Sequence, residues 1–179
     1  MHSIELLLDP ESDRAIRRQW ARLADAGLPS QARHTGDTNA PHITLAARER
    51  LGAEFDVRLG AVAASLPVPV GLGALVVFGR PPRGLVLARL AVVTPRLLRL
   101  HAAVHEVLGD GPDAAHTLPG HWTPHVTLAS RLTSAQLAEA VEVLRDDDAA
   151  LAAAGATALR RWDSTARTVT PLTPAVQTG

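Results

Sequence analysis

The 179-residue sequence has no cysteine, no lysine and no tyrosine. Without cysteine there is no disulfide framework and no thiolate for metal or redox chemistry. A metal would need histidine and carboxylate ligands, and the expectation is that no metal or other cofactor is used. Without lysine, all 18 basic residues are arginine, and 18 acidic residues balance them. That balance excludes the broad positive field of a general nucleic-acid coat protein, so phosphate binding has to be local. Two phenylalanines and three tryptophans are too few for a stacking track along a long single strand, which favours a small substrate or an RNA terminus. No apolar run approaches the roughly 20 residues that span a bilayer. The opening MHSIELLLDP has no basic leader and its apolar run stops at Asp9, so it reads as a strand and not as a signal peptide. A soluble, cytoplasmic monomer with no membrane partner is expected.

What the chain does contain is a repeat. Pro41-His42-Ile43-Thr44-Leu45-Ala46-Ala47-Arg48 recurs as Pro124-His125-Val126-Thr127-Leu128-Ala129-Ser130-Arg131, with only Ile/Val and Ala/Ser exchanged. Before each copy stands an apolar strand, Ile4 to Leu8 or Leu85 to Val93, followed by Asp9-Pro10 or Thr94-Pro95. Asp or Thr at an N-cap with proline in the first turn is helix-entry chemistry. Ile16, Trp20 and Leu23 share one face of the first helix before Gly27; Leu97, Leu100, Val104 and Val107 share one face of the second before Gly109. Each half thus runs strand, helix, loop, histidine strand, an internally duplicated α/β arrangement.

Beyond the motifs the pattern predicts a weak helix around Glu54 to Ala64 and a better one from Ala135, entered through Thr133-Ser134 with Gln136 placed for a capping box. Val68 to Phe78 is expected to close the first half, and Ala156 to Trp162 with Thr168 to Leu172 the second. The Ala-rich stretch from Asp147 to Ala158 reads as a helix tail leading into a strand. A Pro/Gly turn at Gly79 to Gly84 joins neighbouring strands and puts the lobe boundary near Pro82. The chain is read as one bilobal domain over 1–179, with lobe one about 1–82 and lobe two about 83–179. Leu28 to Ala40 and Gly111 to Gly120 are polar loops expected to rim a cleft.

In a strand, alternate residues share a face. His42 and Thr44 therefore point one way and Ile43 and Leu45 the other, as do His125 and Thr127 against Val126 and Leu128. A pseudo-twofold axis can set the two polar faces across one cleft. In-line displacement at a phosphodiester needs a base on the attacking side, an acid on the leaving side and donors for the equatorial oxygens. Histidine, with an ordinary pKa near 6.5, serves in either role, and threonine hydroxyls can donate to non-bridging oxygens. The sequence assigns neither role to either histidine.

These residues resemble the two-histidine (2H) phosphoesterase superfamily, whose members include 2′,3′-cyclic nucleotide phosphodiesterases and the so-called bacterial 2′-5′ RNA ligases. Its signature is a pair of His-x-Thr/Ser (HxT) motifs, each preceded by proline and followed by apolar residues. The resemblance implies an α+β fold, bilobal by pseudo-twofold duplication, in which two antiparallel-rich sheets form a central cleft with helices packed outside. It implies hydrolysis of a cyclic phosphodiester and a role in RNA processing, with His42 and His125 catalytic and Thr44 and Thr127 binding phosphate. The partner would be a nucleotide or RNA terminus with a cyclic phosphate. The family also has an Arg after a Pro at the start of a strand, matched by Arg83. It departs from the family in having Ser130 where an Arg is common, with Arg131 one later, and in lacking a tyrosine in the last strands.

Other residues were candidates on weaker grounds. Arg48 and Arg131 lie six positions after their histidines and share their parity, which would set both at the border of the site. Arg83, and less so Arg80, are candidates for phosphate or ribose contact, although a hairpin turn also takes polar residues. Trp122 is expected to pack in the core rather than stack on a base, and Trp20 and Trp162 are read as core. His101 and His105 have a metal-capable spacing but no obvious third ligand, and read better as a solvated helix flank. His34 and His116 occupy corresponding rim loops, each followed by Thr, and are read as coincidence ahead of remnants of the repeat or substrate contacts. His121 shares the parity of His125. The rivals to hydrolysis are the related 2′-5′ RNA ligase reaction, a non-catalytic module binding a nucleotide or RNA end, and a histidine-ligated metal hydrolase.

Overall fold

Each half begins with the strand and helix that its sequence prescribes. In chain order the elements are β1 (His2–Leu8), α1 (Pro10–Asp25), β2 (His42–Arg48), α2 (Asp56–Ala63), β3 (Val68–Pro69), β4 (Leu72–Gly79), β5 (Leu85–Ala91), α3 (Pro95–Leu108), β6 (His125–Leu132), α4 (Ser134–Val143), α5 (Ala149–Ala152), β7 (Gly155–Asp163) and β8 (Thr168–Leu172). Short 3-10 turns lie at Gln31–Arg33, Ala53–Phe55 and Ala115–Thr117. The structure is a computed structural model that describes residues 1–145 and 149–174. The start of the Ala-rich stretch, Asp147 and Asp148, lies outside the described residues.

The helix entries follow the expected chemistry. Asp9 Oδ1 accepts from the backbone N–H groups of Glu11 and Ser12, and Thr94 Oγ1 from that of Leu97. At α4, Thr133 and Gln136 form a reciprocal capping box. Asp9 does more than cap, because its Oδ2 also accepts from the Gly155 N–H at 2.6 Å and so pins the start of β7 to the start of α1. Ile16, Trp20 and Leu23 are buried on α1, and Leu97, Leu100 and Val104 on α3, while Val107 is half-buried. Burial of such side chains stabilises the fold by about 1.5–3 kcal/mol each.

Two antiparallel sheets result, one ordered β2-β1-β7-β3 with β8 also paired to β7, the other β4-β5-β6. The expected strand from Val68 to Phe78 is two strands, β3 and β4, in different sheets. The closing strands are also exchanged. β4 precedes Pro82 in the chain yet pairs with β5, and β7 follows it yet pairs with β1. Each sheet therefore draws strands from both sides of that position.

Both motif strands, β2 and β6, are terminal strands of their sheets, and both carry a β-bulge in the same place. Between β1 and β2 the register slips between Thr44 and Ala46, leaving Leu45 as the extra residue. Between β5 and β6 it slips between Thr127 and Ala129, leaving Leu128 extra. A bulge reverses which face the following residues occupy. Leu45 and Ala46 are accordingly both buried, as are Leu128 and Ala129. The His-x-Thr unit ends where the alternation breaks.

Candidate active site

Each motif histidine is held by the carbonyl two residues before it. His42 Nδ1 lies 2.8 Å from the Ala40 oxygen, and His125 Nδ1 lies 2.7 Å from the Thr123 oxygen. A carbonyl can only accept, so both Nδ1 atoms carry hydrogen and both Nε2 atoms are left for chemistry. A neutral ring then offers Nε2 as a base, and a protonated ring offers Nε2–H as an acid. Both imidazoles are half-buried.

The two motifs face a common space. A cavity of about 220 Å³ is lined by Trp20, Gln31, Asn39, Ala40, His42 and Thr127, so the first motif's histidine and the second motif's threonine share one wall. His42 also lies within electrostatic reach of His125. Neither the Thr44 nor the Thr127 hydroxyl is engaged in a hydrogen bond among the described residues. Indole groups cross between the halves: Trp20 Nε1 donates to the Thr127 carbonyl at 3.0 Å, and Trp122 Nε1 to the Thr44 carbonyl at 2.9 Å. They cap backbone oxygens of the two terminal strands beside the bulges. Trp122 stacks on His101 with ring centroids 4.0 Å apart, which agrees with its expected role in packing.

The surroundings of the two histidines differ. Phe78 of β4 lies against His125, with ring centroids 4.5 Å apart. Burial holds the His125 imidazole below the ordinary histidine value; the Thr123 carbonyl opposes this, and nearby His116 and His42 add to the depression. His42 instead has Glu5 Oε1 3.6 Å from its Nε2. Glu5 is 3% exposed; its Oε2 is bound by Arg160 Nε at 2.7 Å and its Oε1 by Ser3 Oγ at 2.7 Å. A larger cavity, about 720 Å³, opens from His42 between the first rim loop and β7, with Glu5, Arg160 and Trp162 in its wall. Glu5, Arg160 and Phe78 were not foreseen. The signal for Glu5 in the sequence is its place as the lone acid in an apolar strand, where a carboxylate has to be paired.

Several candidates lie elsewhere. Arg48 is 6% exposed and does not border the cleft. Its Nε and Nη2 each lie 2.8 Å from an oxygen of Asp113, and its Nη1 donates to the Leu108 carbonyl at 3.0 Å. The bulge at Leu45 has turned it to the other face, where it ties β2 to the loop after α3. Gly111 lies so close to this guanidinium that an added Cβ would meet it at 2.6 Å. Arg131 is exposed at the far end of β6 with φ of 60°, packed near the turn that holds the exposed Arg83. Neither contacts a motif residue among the described residues.

His101 and His105 are not a solvated flank. His101 is 2% exposed with Nε2 2.9 Å from the Thr117 carbonyl, and His105 Nε2 lies 3.1 Å from the carbonyl of the bulge residue Leu45. Trp162, expected in the core, is half-buried in the cavity wall. The rim histidines hold matching places, His34 in the wall of the cavity beside His42 and His116 within electrostatic reach of His125. His121 is exposed. No group of three or more His, Cys, Asp or Glu side chains that could hold a metal ion occurs among the described residues, and no helix there is long and apolar enough to cross a membrane.

A sequence-family model of the 2′-5′ RNA ligase superfamily matches residues 10–166. The chain belongs to this superfamily. Solved structures of the same fold include Kluyveromyces marxianus Usb1, at 15% identity and a TM-score of 0.55, with 96% of this chain and 97% of that chain covered. Usb1 with uridine monophosphate matches at 14% identity and a TM-score of 0.53, with the same shares covered. Escherichia coli LigT in apo form matches at 17% identity and a TM-score of 0.49, with 96% of this chain and 93% of that chain covered. No curated protein matches the sequence. Membership of the 2′-5′ RNA ligase superfamily supports activity of the phosphodiesterase or ligase type.

Proposed function

We propose that the protein is a metal-independent phosphodiesterase that opens a 2′,3′-cyclic phosphate at the end of a nucleotide or RNA. The observation that carries this reading is the paired anchoring of His42 and His125: both rings give Nδ1–H to a carbonyl, which leaves two Nε2 atoms for one bound phosphodiester. The shared cavity formed with Thr127 supports it. A structure of the same fold holds uridine monophosphate, which makes a nucleotide the first class of ligand to test.

The half-buried ring beside Phe78, with its depressed pKa, suits the base. His125 Nε2 accepts a proton from water as the water oxygen bonds to phosphorus. His42 Nε2–H gives its proton to the departing ribose oxygen as the P–O bond breaks, yielding a phosphomonoester and a free hydroxyl. The Thr44 and Thr127 hydroxyls donate to the non-bridging oxygens, where negative charge concentrates in the transition state. Turnover of 2′,3′-cyclic nucleotides and cyclic-ended RNA in EDTA, by wild type and by His42→Ala and His125→Ala, tests the reading. Activity lost with EDTA alone refutes metal independence, and undiminished activity in either variant removes that histidine from the scheme.

A further inference from the structure

The duplication is close in backbone and unequal in side chains. In the first sheet Thr44 lies opposite Glu5, and Glu5 opposite Arg160; in the second, Thr127 lies opposite Ala88, and Ala88 opposite Val76. Glu5 and Ala88 thus hold matching positions, each beside its own His-x-Thr unit. Residues diagonal to one another on neighbouring strands share a face and come within reach of long side chains. Glu5 reaches its diagonal neighbour, with Oε1 3.6 Å from His42 Nε2. Ala88 is too short to reach His125, which has Phe78 against it instead.

The Glu5 carboxylate is held in place. Its Oε2 accepts from Arg160 Nε and its Oε1 from Ser3 Oγ, each at 2.7 Å, and Glu5 and Arg160 are both buried. Acceptance at both oxygens suits an ionised carboxylate. At 3.6 Å the His42 nitrogen is beyond hydrogen-bond length but well inside the range of charge attraction. A proton on Nε2 is therefore stabilised without being tied to Glu5, and it stays free for a bound ester. Of the other charged or titratable groups around the ring, Arg160 on β7 is committed to Oε2, Arg17 on α1 is paired with Asp13, and His125 stands across the cleft. Arg33, His34 and Asp37 of the rim loop and Arg167 of the β7–β8 turn share the larger cavity with His42. All four are exposed, where water and salt screen them.

Two histidines in identical surroundings would stand one neutral and one protonated only part of the time. Unlike surroundings, with an anion beside one ring and an apolar neighbour against the other, raise that fraction and set its order. We propose that Glu5 is a positioning residue for the reaction: it sets an anion beside His42 Nε2 that favours the imidazolium, so that the first motif supplies the acid, while Ala88 leaves the second motif to supply the base. The inference rests on the phosphodiesterase reading for the reaction, and on the packing of β1 against β2 for the coupling of Glu5 to His42.

Glu5→Gln keeps the shape of the side chain and removes its charge. The test compares the pH dependence of kcat/KM for a 2′,3′-cyclic nucleotide in wild type and in this variant. An opposite charge at such a distance favours the charged form by about one pH unit or more, so the basic limb is expected to move down by about that much while the acidic limb stays. A basic limb that does not move, or a loss by the same factor at every pH, overturns the proposal. Should Glu5→Gln leave too little folded protein, Glu5→Gln/Arg160→Gln removes both charges together and carries the same expectation. NMR titration of the imidazole signals follows His42 without turnover: its midpoint is expected to fall by about one pH unit in the variant, and an unchanged midpoint overturns the proposal. If wild type turns over no cyclic substrate, the phosphodiesterase reading fails, and the titration decides the coupling of Glu5 to His42 by itself.

Discussion

Trp20 and Trp122 brace the two motifs in opposite directions: the first half's indole bonds the carbonyl of Thr127, and the second half's indole bonds the carbonyl of Thr44. Each motif is thereby held by the half that does not carry it. Trp20→Phe and Trp122→Phe keep the ring and remove the donor, and each is expected to lower stability by about 1 kcal/mol, read by urea denaturation. Each should also lower kcat by about 10-fold, within the roughly 100-fold that a displacement of about 1 Å can cost. Unchanged kcat in both would show that the motif strands keep their positions without the indoles.

The histidines themselves are expected to be unequal in pH behaviour. His125 is held below the ordinary histidine value chiefly by burial, so the acidic limb of kcat/KM is expected below pH ~6.5. Phe78→Ala opens that pocket and should move the limb upward. The same group has a stability consequence. A folded pKa below the unfolded one means that the unfolded chain binds the proton more readily, so its contribution is present above the unfolded value and lost as pH falls through the folded one. An acidic limb above 6.5 in wild type would contradict the assignment of His125 as base.

Removing either imidazole should cost roughly 100- to 10,000-fold in kcat, the range of general acid or base catalysis. Circular dichroism of His42→Ala and His125→Ala should match wild type, because both rings are only half-buried.

Arg48→Ala is expected to act on stability and not on substrate. It leaves the Asp113 carboxylate, whose side chain is 3% exposed, without its bidentate partner. Breaking a buried pair on one side costs about 3–5 kcal/mol. Thermal melting should therefore fall sharply while KM of the folded fraction stays within a few-fold. A large rise in KM at wild-type stability would instead return Arg48 to the cleft.

Asp9→Ala tests the joint between α1 and β7. An N-cap loss costs about 0.5–2 kcal/mol, and here the Gly155 N–H loses its acceptor as well, so the upper end of that range is expected in chemical denaturation.

The motifs, their faces, both long helices and the helix caps were legible because they depend on local chemistry: hydrogen-bond donors at a helix start, and alternation over a few residues. The same alternation misplaced Arg48, since parity counted from His42 assumes an unbroken strand. The bulge at Leu45 leaves no mark in composition, because a leucine that is inserted looks like a leucine that is paired. The Glu5–Arg160 and Arg48–Asp113 pairs join residues far apart in sequence and depend on which strands and loops meet, which periodicity does not encode. For the same reason β4 and β7 were legible as strands, while the sheet each would join was not.

That exchange makes each half both donor and recipient: residues before Pro82 supply β4 to the sheet of β5 and β6, and residues after it supply β7 to the sheet of β1 and β2. Cutting the present chain at the Pro81-Pro82 turn should therefore yield fragments that are unstructured apart and restore one another when mixed.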